Sequence, residues 1–294
     1  MPIYERILFP VDYSANCIAT VPYVKEMVKT MGAELILLHV VPLYPLPEVS
    51  GDFLGSVPLM PVPEDQRTQE HAALAEFANL HFGEIPAARV LLDGEAALGI
   101  AKAEKHFRAD LIMLSTHGAG VVRRLLLGSV AAKVMHDVEC AVWTGVPEHF
   151  SAERAKTHYR TIVCALGGDR EHQEQVARRA GQLAKTFDAR LVLTHVVEPP
   201  QVTWDFDFTP YREKLMGEAE EALLELDKKL ALEAGVRVEC DLVPRGVQSV
   251  CLDEAADLLV VGRGHARHTI GRLWSQLYET IREAPCPVLS TRFE

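Results

Sequence analysis

Short apolar runs alternate with longer amphipathic stretches along the whole chain. In the first half we predict strands at ERILFPVDYS, AELILLHVV, ARVLL, DLIMLS and CAVWTG, and in the second at RTIVCALGG, ARLVLTHVV, VRVECDLV, DLLVVG and CPVLST. Helical stretches separate them, and the first is expected to follow Ser14 as its cap and to run to about Met31. Apolar strands that alternate with helices are typical of a parallel sheet covered by helices on both faces. The pattern predicts an α/β fold of two tandem doubly wound domains, each with a five-stranded parallel sheet.

The order of elements in the first half repeats in the second. Residues 110–129 read DLIMLSTHGAGVVRRLLLGS and residues 257–276 read DLLVVGRGHARHTIGRLWSQ, so one strand, loop and helix unit occurs twice. His39 and His195 occupy equivalent places at the ends of two apolar runs, where we expect them to be structural. The repeat indicates a duplication, with domains at residues 1–148 and 158–294 and a polar linker at about 147–160.

The composition argues against several classes of protein. The 294 residues carry a formal net charge of −11, which argues against a surface that attracts nucleic acid or anionic membrane. The sequence has no apolar run near the roughly 18 residues that span a bilayer, and its start lacks an export signal. The cysteines lack the close pairs of a zinc cluster or a disulfide framework: Cys17, Cys140, Cys164, Cys240, Cys251 and Cys286. We therefore expect a cytoplasmic protein without nucleic-acid or membrane partners.

Two glycines lie between the fourth predicted strand and the fourth predicted helix of the first half. Gly118 is followed after nine residues by Gly128 and Ser129. Without a Cβ at either glycine, backbone N–H groups can approach a phosphate, and Ser129 adds a hydroxyl where the helix begins. The alternative is that both glycines only make turns, and the spacing by itself leaves that alternative open.

Three segments of the first half resemble the universal stress protein family. They are Pro10-Val11-Asp12 and His39-Val40-Val41 at two strand ends, and the loop STHGAGVVRRLLLGS. Nucleotide-binding members of that family carry Gly, two residues, Gly, nine residues, and then Gly followed by Ser or Thr. Ser115 stands here in place of the first glycine, and its side chain either crowds a ligand or is tolerated because it is small.

The resemblance implies that the first domain binds an adenine nucleotide. Asp12 and Val40 would lie near the nucleoside, with Val40 offering backbone contacts to adenine, and the glycine loop would hold phosphates. The ligand implied is ATP, with or without Mg²⁺, and AMP and ADP stay open. These positions fall at the carboxyl ends of strands one, two and four, where open α/β sheets bind ligands. The candidate ligand-binding residues are Pro10, Asp12, Val40, Ser115, His117, Gly118, Gly128, Ser129 and Val130.

Several polar residues of this region have a second explanation. Asp12 can cap the following turn or helix instead of contacting a nucleoside. His117 can donate to a phosphate, and Arg123 and Arg124 either neutralise phosphate charge or are solvated surface. The loop lacks a Walker lysine and an evident general base, so weak ATPase activity is the most that we expect.

The second copy of the loop has lost most of this pattern. The aligned positions that differ are Gly167 for Asp12, His265 for Gly118, and Ser275-Gln276 for Gly128-Ser129. Gly262 restores the first glycine, but the bulky Trp274 now precedes the helix start. Arg263, Arg267 and Arg272 form either a remodelled anion pocket or a solvated basic loop. We expect only the first domain to bind nucleotide, while the second stabilises it by pairing with it.

The resemblance also implies how the domains associate and what the protein does. Family members pair through their last strands, so the two domains should form an internal pseudo-dimer, and two chains can associate further as a homodimer. The expected function is that of a cytosolic, ATP-binding protein of stress response or signalling, with unidentified protein partners. Two alternatives stay open: a nucleotide-free interaction scaffold, and a nucleotide-transferring enzyme, which would need an acid, base or lysine at the loop.

Overall fold

The computed structural model describes residues 2–43, 61–115, 128–145, 157–199, 209–264 and 272–293, without the side chains of 209, 210 and 272–275. The first half contains β1 (Arg6–Pro10), α1 (Ala15–Met31), β2 (Glu34–Val41), α2 (Glu64–Phe82), β3 (Ala87–Asp93), α3 (Ala96–Phe107), β4 (Leu111–Ser115), α4 (Ser129–Asp137) and β5 (Ala141–Gly145). The second half contains β6 (Thr161–Ala165), α5 (Arg170–Phe187), β7 (Arg190–Val197), α6 (Thr209–Leu230), β8 (Gly235–Cys240), α7 (Val243–Asp253), β9 (Leu258–Gly262), α8 (Arg272–Glu283) and β10 (Val288–Thr291). The predicted alternation of strands and helices is present in both halves.

The ten described strands form one sheet, in the order β3-β2-β1-β4-β5-β10-β9-β6-β7-β8. Neighbouring strands are parallel within each half, and the halves join where β5 and β10 pair antiparallel. Trp143 is opposite Leu289 in the middle of this pair. The predicted fold of two five-stranded parallel sheets that pair through their last strands is therefore confirmed. The domain boundaries at residues 1–148 and 158–294 stay a prediction.

Helices cover both faces of the sheet because its strands carry apolar side chains on both sides. Along β1, Ile7 and Phe9 point to one face and Leu8 to the other, and all three are fully buried. The face of Ile7 is covered by α1, α2, α5 and α6, and the face of Leu8 by α3, α4, α7 and α8. Each core continues from one half into the other, so the halves share their hydrophobic interior. Within the described part of the chain, no helix is long and apolar enough to cross a membrane.

The first helix of each half has a side-chain cap at its N-terminus. Ser14 Oγ accepts from the N–H of Cys17 at 3.1 Å, and Asp169 Oδ1 accepts from the N–H of His172 at 2.9 Å. Each bond satisfies one of the N–H groups that the first turn of a helix leaves without a backbone partner. At the other end of α1, Gly32 takes a φ of 65°, a left-handed conformation that glycine adopts without strain. The predicted cap at Ser14 is confirmed.

A carboxylate fixes the start of the central strand in each half. Asp110, just before β4, accepts from the N–H groups of Glu5 and Arg6 at 2.7 and 3.0 Å. Asp257, just before β9, accepts from the two corresponding N–H groups at the start of β6, at 2.8 and 3.0 Å. In each half, one carboxyl group thus holds two consecutive backbone N–H groups of the neighbouring strand. The duplicated Asp-Leu dipeptide thus sets the same alignment of neighbouring strands twice.

Aromatic side chains pack the junction between the halves. Trp143 of β5 is fully buried and donates through Nε1 to the hydroxyl of Tyr159 at 2.9 Å, and the ring of Tyr23 lies 5.3 Å from that of Trp143. Tyr159 precedes β6, so this bond ties the last strand of the first half to the first strand of the second. A buried indole N–H usually needs such a partner.

Candidate functional site

The chain reverses its direction of travel across the sheet between β1 and β4. From β1 it runs outward through β2 to β3, and then it crosses back to β4 on the other side of β1. The crevice between the carboxyl ends of β1 and β4, here called the first switch point, is the ligand-binding place of open α/β sheets. Pro10 ends β1 and Ser115 ends β4, so both line this crevice, and Asp12 follows two residues after Pro10. The tertiary structure thus brings together three of the candidate residues.

Asp12 is exposed at the end of β1 and shapes the turn into α1. Its Oδ1 accepts from the N–H of Ser14 at 3.0 Å, and Ser14 in turn caps the helix. The turn-capping explanation for Asp12 is therefore observed. The Cys17 thiol also bonds to the side chain of Asp12. A carboxylate accepts several hydrogen bonds, so acceptor capacity is left at the switch point.

Val40 turns its backbone toward the same crevice. The pairing of β1 with β2 ends at Pro10 and Leu38, whereas β2 stays paired with β3 to its end. The carbonyl of Leu38 faces β1, where it accepts from Val11 N at 2.7 Å, and backbone groups alternate in direction along a strand. The N–H and C=O of Val40 therefore face the space beyond β1. Its side chain packs on α3, where a Cβ added to Gly99 would lie 2.8 Å from Val40 Cγ2.

His39 and Tyr13 pack against each other near the end of β1. The Nδ1–H of His39 donates to the carbonyl of Val11 at 2.7 Å, which ties the ends of β1 and β2, and its Nε2 lies 3.5 Å from Glu70 Oε2. His195 makes the equivalent bond to Leu166 at 2.8 Å, as expected of a structural pair. The ring centroids of Tyr13 and His39 lie 4.8 Å apart. The backbone of Tyr13 has a φ of 58°. Burial raises the pKa of the Tyr13 hydroxyl to about 12, so it stays protonated.

The start of α4 supplies the second part of the candidate site. Gly128 is its N-terminal cap, and Ser129 and Val130 in the first turn are exposed. None of the described side chains caps this helix, in contrast to α1 and α5. The first N–H groups of a helix and its positive dipole end attract anions. This helix start follows β4 in the chain and offers donors suited to phosphate.

A lysine on α4 is already paired. Lys133 Nζ lies 2.8 Å from Glu95 Oε2, and Glu95 also caps α3 by accepting from two backbone N–H groups at 3.0 and 3.1 Å. The hydrogen bond from Lys133 is the main reason why the pKa of Glu95 falls below its usual value, and the two N–H groups act in the same direction. This pair joins the N-cap of α3 to the second turn of α4 and helps to fix the orientation of α4.

The corresponding crevice of the second half, between β6 and β9, contains a histidine. A Cβ added to Gly262 at the end of β9 would overlap His172 Nε2 and lie 2.8 Å from Val176 Cγ2. His172 follows the cap of α5 by three residues, as Cys17 follows the cap of α1. The first half thus has Cys17 and Ser115 where the second has a large imidazole against a glycine. His172 thus occupies the space that Gly262 leaves at the end of β9.

The sequence-based interpretation of Arg263 is wrong. It belongs neither to an anion pocket nor to a solvated loop, because its side chain is fully buried. Its guanidinium donates to the carbonyls of Met135, Val138 and Cys140 in the first half. The carbonyls of Met135 and Val138 lie at the carboxyl end of α4, where backbone acceptors have no helical partner, and that of Cys140 lies just before β5. A buried guanidinium needs such acceptors, and the halves supply them to each other.

The remaining predicted residues fall in two groups. Gln276, aligned with Ser129, bonds through Nε2 to Glu198 at 2.9 Å, so the second copy of the phosphate position contacts protein instead. Outside the described residues, or without a described side chain, are His117, Gly118, Arg123, Arg124, His265, Arg267, Arg272, Trp274 and Ser275. Sequence reasoning missed Tyr13, Lys133 and His172. His172 was detectable from the sequence, because the second half has a larger residue in place of Cys17 and a smaller one, Gly262, in place of Ser115.

Comparisons with known proteins agree with this architecture. The model of the universal stress protein family matches residues 3–144 and 158–292. A universal stress protein from Thermus aquaticus is 34% identical over 146 residues, which are 46% of this chain and 99% of that protein. The crystal structure of a universal stress protein from Archaeoglobus fulgidus DSM 4304 has a TM-score of 0.68 at 17% identity, and covers 99% of this chain and 97% of its own. That of a functionally unknown protein from Pseudomonas aeruginosa PAO1 has a TM-score of 0.65 at 13% identity, with 98% and 92% covered. The chain belongs to the universal stress protein family and carries the family's domain twice.

Proposed function

We propose that the first half of this chain binds one adenine nucleotide, with ATP as the ligand to test first. The nucleoside lies at the first switch point, against Asp12 and the backbone of Val40, with Pro10 and Ser115 at its sides. The phosphates lie at Gly128, Ser129 and Val130. The family pattern adds His117 and Gly118 to this set.

The start of α4 is the observation that supports the proposal most. Its first N–H groups have no cap among the described side chains, and Ser129 adds an exposed hydroxyl beside them. Phosphate is the ligand that such a helix start attracts. The alternating backbone of β2 supports the nucleoside position independently, because it leaves the Val40 amide and carbonyl facing the crevice.

The second half binds no nucleotide under this proposal. His172 and Val176 fill the space at Gly262, and Arg263 and Gln276 are bonded to protein groups. A ligand there would have to displace the imidazole and leave polar groups without partners, which is costly in a buried place. We therefore expect one site for each chain.

Calorimetry with ATP tests the proposal directly. The full chain should bind one ATP per chain with a heat signal that disappears when the protein is first saturated with ADP. Mass spectrometry of small molecules released from the purified, denatured protein is the second measurement, since a tightly held nucleotide would copurify. Two equivalent sites per chain would refute the assignment to the first half alone.

A nucleotide-free scaffold is the competing function, and Ser115 in place of glycine is the observation that favours it. Ser115→Gly separates the two functions. If serine only crowds a real site, the variant binds ATP more tightly than the wild type. If neither protein binds ATP or releases a nucleotide, the scaffold is the better description.

The biological role that fits a bound nucleotide, with no general base evident in the loop sequence, is signalling in the stress response. The ligand would change which surfaces of the protein are presented to protein partners in the cytosol, and two chains would associate as a homodimer. Size-exclusion chromatography with light scattering, with and without ATP, measures that association.

A further inference from the structure

We infer that Arg263 is a positioning residue for the phosphate site of the first half, and that the second half thereby controls how tightly the first half holds nucleotide phosphates. The inference rests on the proposed function. It concerns the other end of α4 from the one where the phosphates would bind.

The contact between Arg263 and α4 is extensive for a single side chain. Its guanidinium donates to the carbonyls of Met135, Val138 and Cys140. Arg292 adds a bond from Nη1 to the Val138 carbonyl at 3.2 Å. All of these donors belong to the second half and all of the acceptors to the first.

Tyr278 of α8 provides a further contact from the second half, nearer the middle of α4. The hydroxyl of Tyr278 donates to the carbonyl of Ala132 at 3.2 Å. The N–H of Ala132 donates to the carbonyl of Gly128 at 2.9 Å, which closes the first turn of α4. The first turn, where phosphates are proposed to bind, is thus one hydrogen bond away from a residue held by the second half.

The positive charge of Arg263 stabilises α4 in addition to its hydrogen bonds. The guanidinium of Arg263 lies at the negative dipole end of α4, and a phosphate would lie at the positive end, so both stabilise the same nine-residue helix. Burial lowers the pKa of Arg263 to about 10, which keeps the guanidinium charged at neutral pH. A helix fixed at its carboxyl end presents its first N–H groups to a phosphate in one orientation.

Arg263 belongs to the second copy of the glycine loop. It follows β9 directly, at the start of the second copy of the glycine loop, and its own N–H donates to the carbonyl of Thr291 at 2.6 Å. The loop that holds phosphate in one copy therefore supplies, in the other copy, the side chain that orients a phosphate-binding helix.

The test compares two ligands that use different parts of the site. Calorimetry with ATP and with adenosine is done on the full-length wild type, on Arg263→Met and on the control Arg237→Met, which removes an arginine from β8. Adenosine lacks phosphates, so it reports on the strand ends alone. We expect the Kd for ATP to rise about tenfold in Arg263→Met while the Kd for adenosine changes by less than about twofold. A merely structural role for Arg263 would move both constants together.

Milder variants keep the test decisive if Arg263→Met does not fold. Tyr278→Phe removes only the hydroxyl that bonds to Ala132, and Arg263→Lys keeps the charge but cannot reach all three carbonyls. Both should raise the Kd for ATP relative to that for adenosine, by less than Arg263→Met. A wild type that binds ATP, with an unchanged ratio in all of these variants, overturns this inference alone. A wild type that binds neither ligand overturns the proposed function and this inference with it.

Discussion

The imidazole of His172 lies against Gly262 so closely that residue 262 has no room for a Cβ. An added Cβ would overlap His172 Nε2, and Val176 Cγ2 would lie 2.8 Å from it. The counterparts in the first half are Cys17, which is smaller than histidine, and Ser115, which carries a Cβ. The two crevices of this duplicated fold therefore differ through a pair of compensating changes.

Gly262→Ser should lower the free energy of unfolding by about 1–3 kcal/mol, because the new side chain must displace His172 and Val176. The double variant Gly262→Ser with His172→Cys restores the pair found in the first half, and it should recover most of that loss. Urea denaturation of the single and double variants measures both effects. Gly217→Ser is the matched control, because a Cβ there meets nothing within 4 Å. Equal losses in the single and double variants would contradict the proposed overlap.

Tyr159→Phe should destabilise the chain by about 1–3 kcal/mol, because it leaves the buried Nε1–H of Trp143 without its acceptor. Trp143→Phe removes the donor as well as the larger ring. In the double variant no donor is left without a partner, so its loss should be smaller than the sum of the two single losses. Thermal and urea unfolding of all four proteins give the coupling energy. Strict additivity would show that the bond does not contribute to stability.

Glu104→Gln should make the protein more stable at neutral pH and leave it unchanged in acid. Burial raises the pKa of the Glu104 carboxyl, against smaller lowering effects that include Arg263. The folded state therefore holds this proton to higher pH than the unfolded chain, whose glutamates titrate near 4.3. The stability that the protonated group contributes is complete below that value and is lost as the pH rises through the folded pKa. Urea denaturation of the wild type and the variant between pH 4 and pH 7 measures the difference, and a stability difference that does not change with pH would contradict it.

Gly128→Val should abolish ATP binding with little change in thermal stability. The backbone of Gly128 has φ −56° and ψ 142°, which any residue adopts, so the fold does not need glycine here. A branched side chain at the start of α4 would instead exclude a phosphate from the first N–H groups. We expect the Kd for ATP to rise at least about a hundredfold, which corresponds to about 2.7 kcal/mol. Gly167→Val, at the position aligned with Asp12, should bind ATP normally, and unchanged binding in Gly128→Val would contradict the proposed phosphate position.

The sequence determined the features that depend on neighbouring residues. Apolar runs and their punctuation predict the alternation of strands and helices, and the repeated DLIMLS and DLLVVG segments predict the duplication. Ser14 is predictable as a cap because its oxygen bonds only three residues away. The place of Pro10, Asp12 and Val40 at strand ends follows from the parallel order of the strands, since the carboxyl ends then lie at one edge.

The tertiary structure alone decided which side chains meet across the halves. Arg263 bonds to carbonyls more than 120 positions away, and in the sequence it is one arginine of a basic segment. His172 looks like an ordinary residue of a first helical turn until the sheet places Gly262 beside it. Local patterns specify elements because they depend on propensity and periodicity, whereas contacts between distant residues depend on strand register and on the directions of individual side chains. The single ten-stranded sheet, formed where β5 and β10 meet, is what brings these residues together.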